Sequence, residues 1–342
     1  MLWFFIGLVS LVVGAKALVS GASAIGQRLR LSPLIIGLTI IAFGTSSPEI
    51  AVCSLAAYKG EGSIVIGNIV GSNIFNLLFV LALVAIIQPV IVHRRLLFWD
   101  VPIMIFASLL LWAFSTFGAI SRPEGFLLFF GICCYIFFAF RMLKEDEVIK
   151  PKEVKHALWL QIIWVIIGLA LLSFGSDFLI TGVQQMAQSW NVSSLFLGLT
   201  LVAIGTSLPE VATTIVCLCK REGEMALGSL IGSNIFNIFA VGGISAIVRP
   251  FAVSAQAMDF DIPVMFATAL ATLPIAITGH KISRWEGVLF LAYYALYFAY
   301  VVMAAIKTPF LPFFQTAFFA FIAPLTIVTL IIALWRHYRA PL

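Results

Sequence analysis

Charge is what this sequence has least of. Asp, Glu, Lys and Arg together make up 10% of its 342 residues, against 62% hydrophobic, and the mean hydropathy is +1.11. A soluble domain spends about a quarter of its residues on charge, so a water-facing exterior is excluded. Histidine is scarce too: His93, His156, His280 and His337 all fall in loops or the tail, which gives them no role. The five cysteines, Cys53, Cys133, Cys134, Cys217 and Cys219, are odd in number and show no CxxC spacing. That excludes a disulfide framework and a zinc site, and Cys217 and Cys219 read as small core fillers. The period-two alternation of a membrane barrel is missing as well. Met1-Leu2-Trp3-Phe4 lacks the basic start of a cleaved signal and so opens a span.

What the chain does have is a series of apolar runs, each near the ~20 residues a helix needs to cross a bilayer. The runs fall at 2–24, 34–57, 63–87, 98–119, 125–143, 158–180, 195–219, 225–248, 261–279, 286–305 and 313–335. The reading is an all-α polytopic membrane protein with the lipid bilayer as its solvent. The net charge of +5 then reports loop residues and not a nucleic-acid surface. Loops after the odd spans carry 13 Lys and Arg, among them Arg28, Arg94, Lys220 and Lys281; loops after the even spans carry four. Positive loops stay inside, so the N-terminus is expected outside and, with eleven spans, the C-terminus in the cytoplasm. The charged stretch 141–156 is a solvated cytoplasmic linker. Asp100, Asp259, Asp261, Glu124 and Glu286 sit at span ends, where solvated caps are the default. Asn191-Val192-Ser193 fits a glycosylation acceptor in an outside loop.

One phrase occurs twice, 161 positions apart. The first copy holds Gly37-Leu38-Thr39, Ala42, Gly44-Thr45-Ser46-Ser47-Pro48-Glu49 and Gly71-Ser72-Asn73-Ile74-Phe75-Asn76. The second holds Gly198-Leu199-Thr200, Ala203, Gly205-Thr206-Ser207-Leu208-Pro209-Glu210 and Gly232-Ser233-Asn234-Ile235-Phe236-Asn237. The same offset maps Gly14 to Gly175, Pro89 to Pro250 and Asp100 to Asp261. Each half therefore has five spans, and an odd number inverts the second half against the first. The expected organisation is a first repeat over 1–140, the linker 141–156, a second repeat over 157–305, and an extra span with tail over 306–342.

Glu49 and Glu210 stand about halfway along their spans, and neither has Lys or Arg in its own span. An ionised carboxylate there costs roughly 2.5–3.5 kcal/mol even on a lenient scale, so a cation or a proton is needed as partner. Pro48 and Pro209 cannot donate a backbone N–H and so release carbonyls one turn earlier. Thr45, Ser46, Thr206 and Ser207 add hydroxyls at the same level. Asn76 and Asn237 reach mid-depth on the neighbouring spans, with Ser72 and Ser233 one turn before on the same face. Such hard oxygen ligands suit Ca²⁺ or Na⁺. Asn73 and Asn234 read as interhelical glue.

The two inverted copies of Gly-Thr-Ser-x-Pro-Glu and Gly-Ser-Asn-Ile-x-Asn resemble the alpha repeats of the sodium/calcium exchanger family, prokaryotic type, within the cation/calcium antiporters. The resemblance runs from span 1 to span 10. It implies an antiporter, not an enzyme, without cofactor, that exchanges Ca²⁺ for Na⁺ across a bacterial inner membrane. It also implies a ligand set: side chains of Glu49, Glu210, Thr45, Thr206, Ser46, Ser207, Ser72 and Ser233, carbonyls of Ala42 and Ala203, and amides of Asn76 and Asn237 lining the centre. Spans 1 and 6 resemble the family's gating helices. Asn237, where the potassium-dependent branch has Asp, argues against K⁺ co-transport. Three rivals stand beside this reading: a Ca²⁺/H⁺ (or Na⁺/H⁺) exchanger using the same glutamates; a passive cation channel, which the lack of a repeated filter around a symmetric pore disfavours; and a non-transporting structural membrane protein, which would bind no Ca²⁺.

Overall fold

The structure, a computed structural model, describes residues 2–141, 157–189, 205–306, 308–317 and 331. A backbone in lipid has no water to bond with, so each segment satisfies its N–H and C=O groups within a helix. In chain order the helices are α1 (Leu2–Arg28), α2 (Pro33–Thr45), α3 (Ser47–Lys59), α4 (Gly62–Ile87), α5 (Leu96–Ser115), α6 (Arg122–Arg141), α7 (Leu158–Ser189), α8 (Leu208–Cys219), α9 (Gly223–Val248), α10 (Ala257–Ile277), α11 (Arg284–Ala305) and α12 (Leu311–Ala317). Among the described residues, eight helices are long and apolar enough to cross a membrane, or nine if α2 and α3 form one span bent by 40°. The protein is an integral membrane protein. Part of span 7 (195–204), the linker after Arg141 and most of span 11 lie outside the described residues. α1 and α7 run past their expected ends, to Arg28 and Ser189.

Contacts between the two halves repeat under the 161-residue offset. Four short strands, β1 (Val90–Ile91), β2 (Ala119–Ile120), β3 (Phe251–Ala252) and β4 (Lys281–Ile282), pair antiparallel as β1 with β4 and β2 with β3. The offset carries β1 onto β3, and β2 onto β4 within a residue, so the two ladders exchange. Likewise α6 packs on the end of α9, and α11 packs on the equivalent end of α4.

The long helices α1 and α7 lie antiparallel along their length. Gly7 meets Leu179, Gly14 meets Leu172, and Gly168 meets Leu18, so numbering rises on one helix as it falls on the other. Glycine recurs every seven residues on both, at 7, 14 and 21 and at 168, 175 and 182. The backbones come so close that a Cβ at Gly7 would lie 2.4 Å from the Leu179 nitrogen. Small residues at this face allow the close approach that dispersion needs in a solvent as apolar as the side chains. The outer faces carry exposed apolar side chains, such as Phe126, Phe130 and Phe137 on α6.

α4 and α9 are the innermost helices, with 78% and 83% of their apolar windows buried. Gly228 and Gly232 of α9 press against Leu34, Leu38 and Ala42 of α2. The mirror partners of that face fall in 195–203, outside the described residues.

Four expectations are corrected here. Asp100 is buried and not a solvated cap: Tyr135 Oη donates to its Oδ1 at 3.0 Å, and Arg95 Nε lies 3.8 Å from its Oδ2. Asp261 is half-buried and accepts from Tyr297 Oη at 3.2 Å. Glu286 does cap α11, in a capping box with Ser283, but it is buried; Glu124 bonds Ser121 in the same way before α6. Cys219 is exposed and not a core filler, whereas Cys217 is buried. An apolar solvent explains the errors, because lipid accepts a thiol and packed helix ends hide a carboxylate that finds a hydrogen bond.

Candidate functional site

The first copy of the phrase breaks its span. Pro48, the second residue of α3, has no N–H to continue the helix from α2, and Ser46 turns the chain with φ −82° and ψ −2°. The second copy repeats this: Pro209 is the second residue of α8, after Ser207 at φ −93° and ψ 5°. Each break places a glutamate in the first turn of the helix that follows, where peptide dipoles favour negative charge.

Both acids are fully buried, and no carboxylate oxygen of Glu49 or Glu210 has a hydrogen bond of ordinary geometry. Each half reaches across to the other. Glu49 and Glu210 lie within electrostatic reach of each other, and the Thr45 hydroxyl lies against the Glu210 carboxylate. Thr45 Oγ1 and Ser233 Oγ share a hydrogen bond of 3.0 Å. The wide turn that begins at Asn76 packs on α8, the helix of Glu210, and the equivalent turn from Asn237 packs on α3, the helix of Glu49. Both are π-helical turns, Asn76–Val80 and Asn237–Gly242, a distortion common at functional sites. The apolar sequence around them gave no sign of it.

The remaining candidates fall around these groups. Ser46, Ser72 and Ser207 are buried with unpartnered hydroxyls, and the side-chain amides of Asn76 and Asn237 are buried and unpartnered at both ends. The Ala42 carbonyl accepts from Ser46 N at 3.0 Å and Thr45 Oγ1 at 3.3 Å. Thr206 is half-buried and accepts from Asn68 Nδ2 at 3.0 Å. Ala203 lies outside the described residues. Asn73 bridges to another helix through Met265 Sδ at 3.6 Å, whereas Asn234 bonds its own helix at the Leu230 carbonyl, 2.9 Å.

Sequence reasoning missed three polar groups. Asn68 sits one turn before Ser72 on the same face, and that spacing was the signal for it. Cys53, one turn after Glu49, donates to Asn68 Oδ1 at 3.3 Å. Ser176 of α7 donates to the Gly205 carbonyl, the one that Pro209 leaves without its helical donor. Lys16, in the middle of α1, is exposed, and its equivalent on α7 is the exposed Asp177. Both point away from the centre, so neither neutralises the glutamates.

Each buried polar group left without a partner costs about 1–3 kcal/mol, more if charged. Several of them surround the two glutamates, whereas Asp100 elsewhere has one oxygen bonded to Tyr135 and the other facing Arg95 at 3.8 Å, so the centre calls for an external partner. The donor set is carboxylate, hydroxyl and amide oxygen, with no thiolate or imidazole among the groups described. Such a set matches hard cations, and two carboxylates supply up to two negative charges to balance them.

Three comparisons bear on this geometry. The family described as "Sodium/calcium exchanger protein" matches residues 1–141 and 160–303. The "Putative antiporter CaxA" of Alkalimonas amylolytica is 36% identical over 291 residues, covering 83% of this chain and 91% of that one. The sodium/calcium exchanger MaX1 of Methanosarcina acetivorans is 31% identical, covering 85% and 95% respectively. A solved structure of the sodium-calcium exchanger NCX_Mj, soaked with 10 mM Na⁺ and zero Ca²⁺, superposes with a TM-score of 0.75 at 29% identity, covering 87% of this chain and 97% of that one.

Proposed function

The chain belongs to the sodium/calcium exchanger family, and from that premise we propose that it is an antiporter exchanging Ca²⁺ for Na⁺ by alternating access. The ions bind at mid-depth between the two repeats. The observation that carries this reading is the pair Glu49 and Glu210: fully buried, within electrostatic reach, and without a hydrogen bond of ordinary geometry. One Ca²⁺ balances two carboxylates. Na⁺ ions in the surrounding hydroxyl and amide oxygens do the same. Bare acids in a dry centre are unfavourable, so the unloaded carrier resists changing sides, and that resistance enforces exchange over leak.

Thr45, Thr206, Ser46, Ser207, Ser72 and Ser233 supply neutral oxygens, with carbonyls of Ala42 and Ala203. Asn76 and Asn237 line the centre. With Asn237 an amide and not an acid, the charge is two and not three, which supports exchange without K⁺. The excess of Lys and Arg in the loops after odd spans supports an N-terminus outside.

Isotopic Ca²⁺ uptake into vesicles, with sodium and pH gradients imposed separately, tests the reading. Uptake driven by the sodium gradient alone is expected. Uptake driven only by the pH gradient would assign the same glutamates to proton exchange, a reading that their unpartnered oxygens also permit. Conductance without a counter-ion would make the protein a channel.

A further inference from the structure

The two copies of the repeat treat one hydroxyl differently. Thr45 Oγ1 shares its 3.0 Å hydrogen bond with Ser233 Oγ in the centre. The equivalent pair under the 161-residue offset is Thr206 and Ser72, and there the bond is missing. Ser72 Oγ is buried without a partner, while the Thr206 hydroxyl accepts from Asn68 Nδ2, also at 3.0 Å. Asn68 lies one helical turn before Ser72 on the same face of α4. By the 161-residue offset Ser72 is the counterpart of the partner that Thr45 has, and Asn68, one turn earlier, holds Thr206 in its place.

Thr45 has no such amide competitor; its other neighbours are the Ala42 carbonyl at 3.3 Å and the Glu210 carboxylate. The residue equivalent to Asn68 is Ser229, whose buried hydroxyl has no partner and whose side chain is shorter by an amide. The orientation of Asn68 is also fixed in one half only. Cys53 Sγ donates to Asn68 Oδ1 at 3.3 Å, which leaves the NH₂ end, a donor only, for Thr206. The counterpart of Cys53 is Thr214, buried and unpartnered.

We propose that Asn68 is a latch on the cation centre. It draws the Thr206 hydroxyl away from Ser72, and cation binding in that half requires Thr206 to exchange Asn68 for the ion and Ser72. Asn68 is thus a positioning residue that acts through Thr206 and lowers cation affinity in one repeat alone. The proposal rests on reading this centre as the Ca²⁺ and Na⁺ site, and it makes the two halves unequal where the motif repeats.

The test is isotopic Ca²⁺ binding to purified full-length protein, paired with uptake kinetics in proteoliposomes. Asn68→Ala removes the competitor, so Ca²⁺ is expected to bind about five-fold tighter, the ratio that one net hydrogen bond supplies. KM should fall without a matching rise in kcat. Ser229→Ala, at the mirror position, should change neither. Adding Ser72→Ala to Asn68→Ala should erase the gain, because the released hydroxyl then lacks its second partner. Unchanged or weaker binding by Asn68→Ala overturns the latch, weaker binding meaning that Asn68 supports Thr206 as a ligand. If Asn68→Ala does not fold, Cys53→Ala loosens the same amide and should tighten binding to a smaller degree; no tightening there overturns the latch as well. Wild-type protein that binds no Ca²⁺ would sink the latch and the exchanger reading together, whereas normal wild-type binding with an unmoved variant sinks the latch alone.

Discussion

Two buried acidic sites in this molecule are built in opposite ways. At the start of α5, Asp100 is held by the Tyr135 hydroxyl at 3.0 Å and faces the Arg95 guanidinium at 3.8 Å. In the centre, Glu49 and Glu210 are buried at least as deeply and lie within electrostatic reach of each other, with only the Thr45 hydroxyl close to the Glu210 carboxylate and no well-formed hydrogen bond on either acid. The chain can supply a donor and a cation to a hidden carboxylate, and at Asp100 it does. Leaving two acids in the centre without such partners is therefore a property of that site and not of membrane helices in general. The first arrangement locks α5 to α6, and the second leaves the partner's place to a ligand.

The largest effect that would break this contrast is at the glutamates. Glu49→Gln or Glu210→Gln should weaken Ca²⁺ binding about 100-fold, equivalent to roughly 3 kcal/mol for one charge-assisted contact. The same variants should melt no lower than wild type without Ca²⁺, because they remove a bare buried charge. A parallel fall in melting temperature would mean that the acids are structural. Next in size, Ca²⁺ at about 100 times its Kd should stabilise the wild type by roughly 2.7 kcal/mol. Thermal unfolding in detergent should show that shift in wild type and lose it in Glu49→Gln.

Asp100→Asn should do the reverse of the glutamate changes. It removes the charge facing Arg95 and weakens the acceptor for Tyr135, so stability should fall by about 1–2 kcal/mol while Ca²⁺ affinity stays within error. An affinity loss there would merge the two sites and undo the comparison. The smallest effect sharpens it between the repeats. Tyr135→Phe should cost about 1 kcal/mol, and Tyr297→Phe less, because Asp261 is only half-buried and keeps access to other partners. Equal losses in the melting curves would show that burial does not set the difference.

Much of this was legible in the chain. The helical membrane class follows from scarce charge and span-length apolar runs, and the inverted pairing of halves follows from an offset that encloses five spans. The contact pattern of α1 with α7, and of the two small ladders, agrees with that inversion. Glu49, Ser72 and Asn76 stood out because a polar residue in a greasy span is costly and a duplicated one is costly twice. Asn68 is also buried, yet its spacing one turn before Ser72 was the only sign that separated it from packing residues, and it is not duplicated in the second copy. Asp100 read as a solvated cap because its place at a helix end is visible in sequence, while Tyr135, which covers it, is on another helix.

Sequence alone determined the solvent, the succession of apolar helices and the repeated polar phrase, because hydropathy and spacing are local properties of the chain. Only the tertiary structure decided which of two equivalent hydroxyls has which partner, which acids are satisfied and which are bare. A hydrogen bond depends on distances of about 3 Å between residues far apart in the chain, and identical motifs in two halves meet different neighbours once the helices are packed.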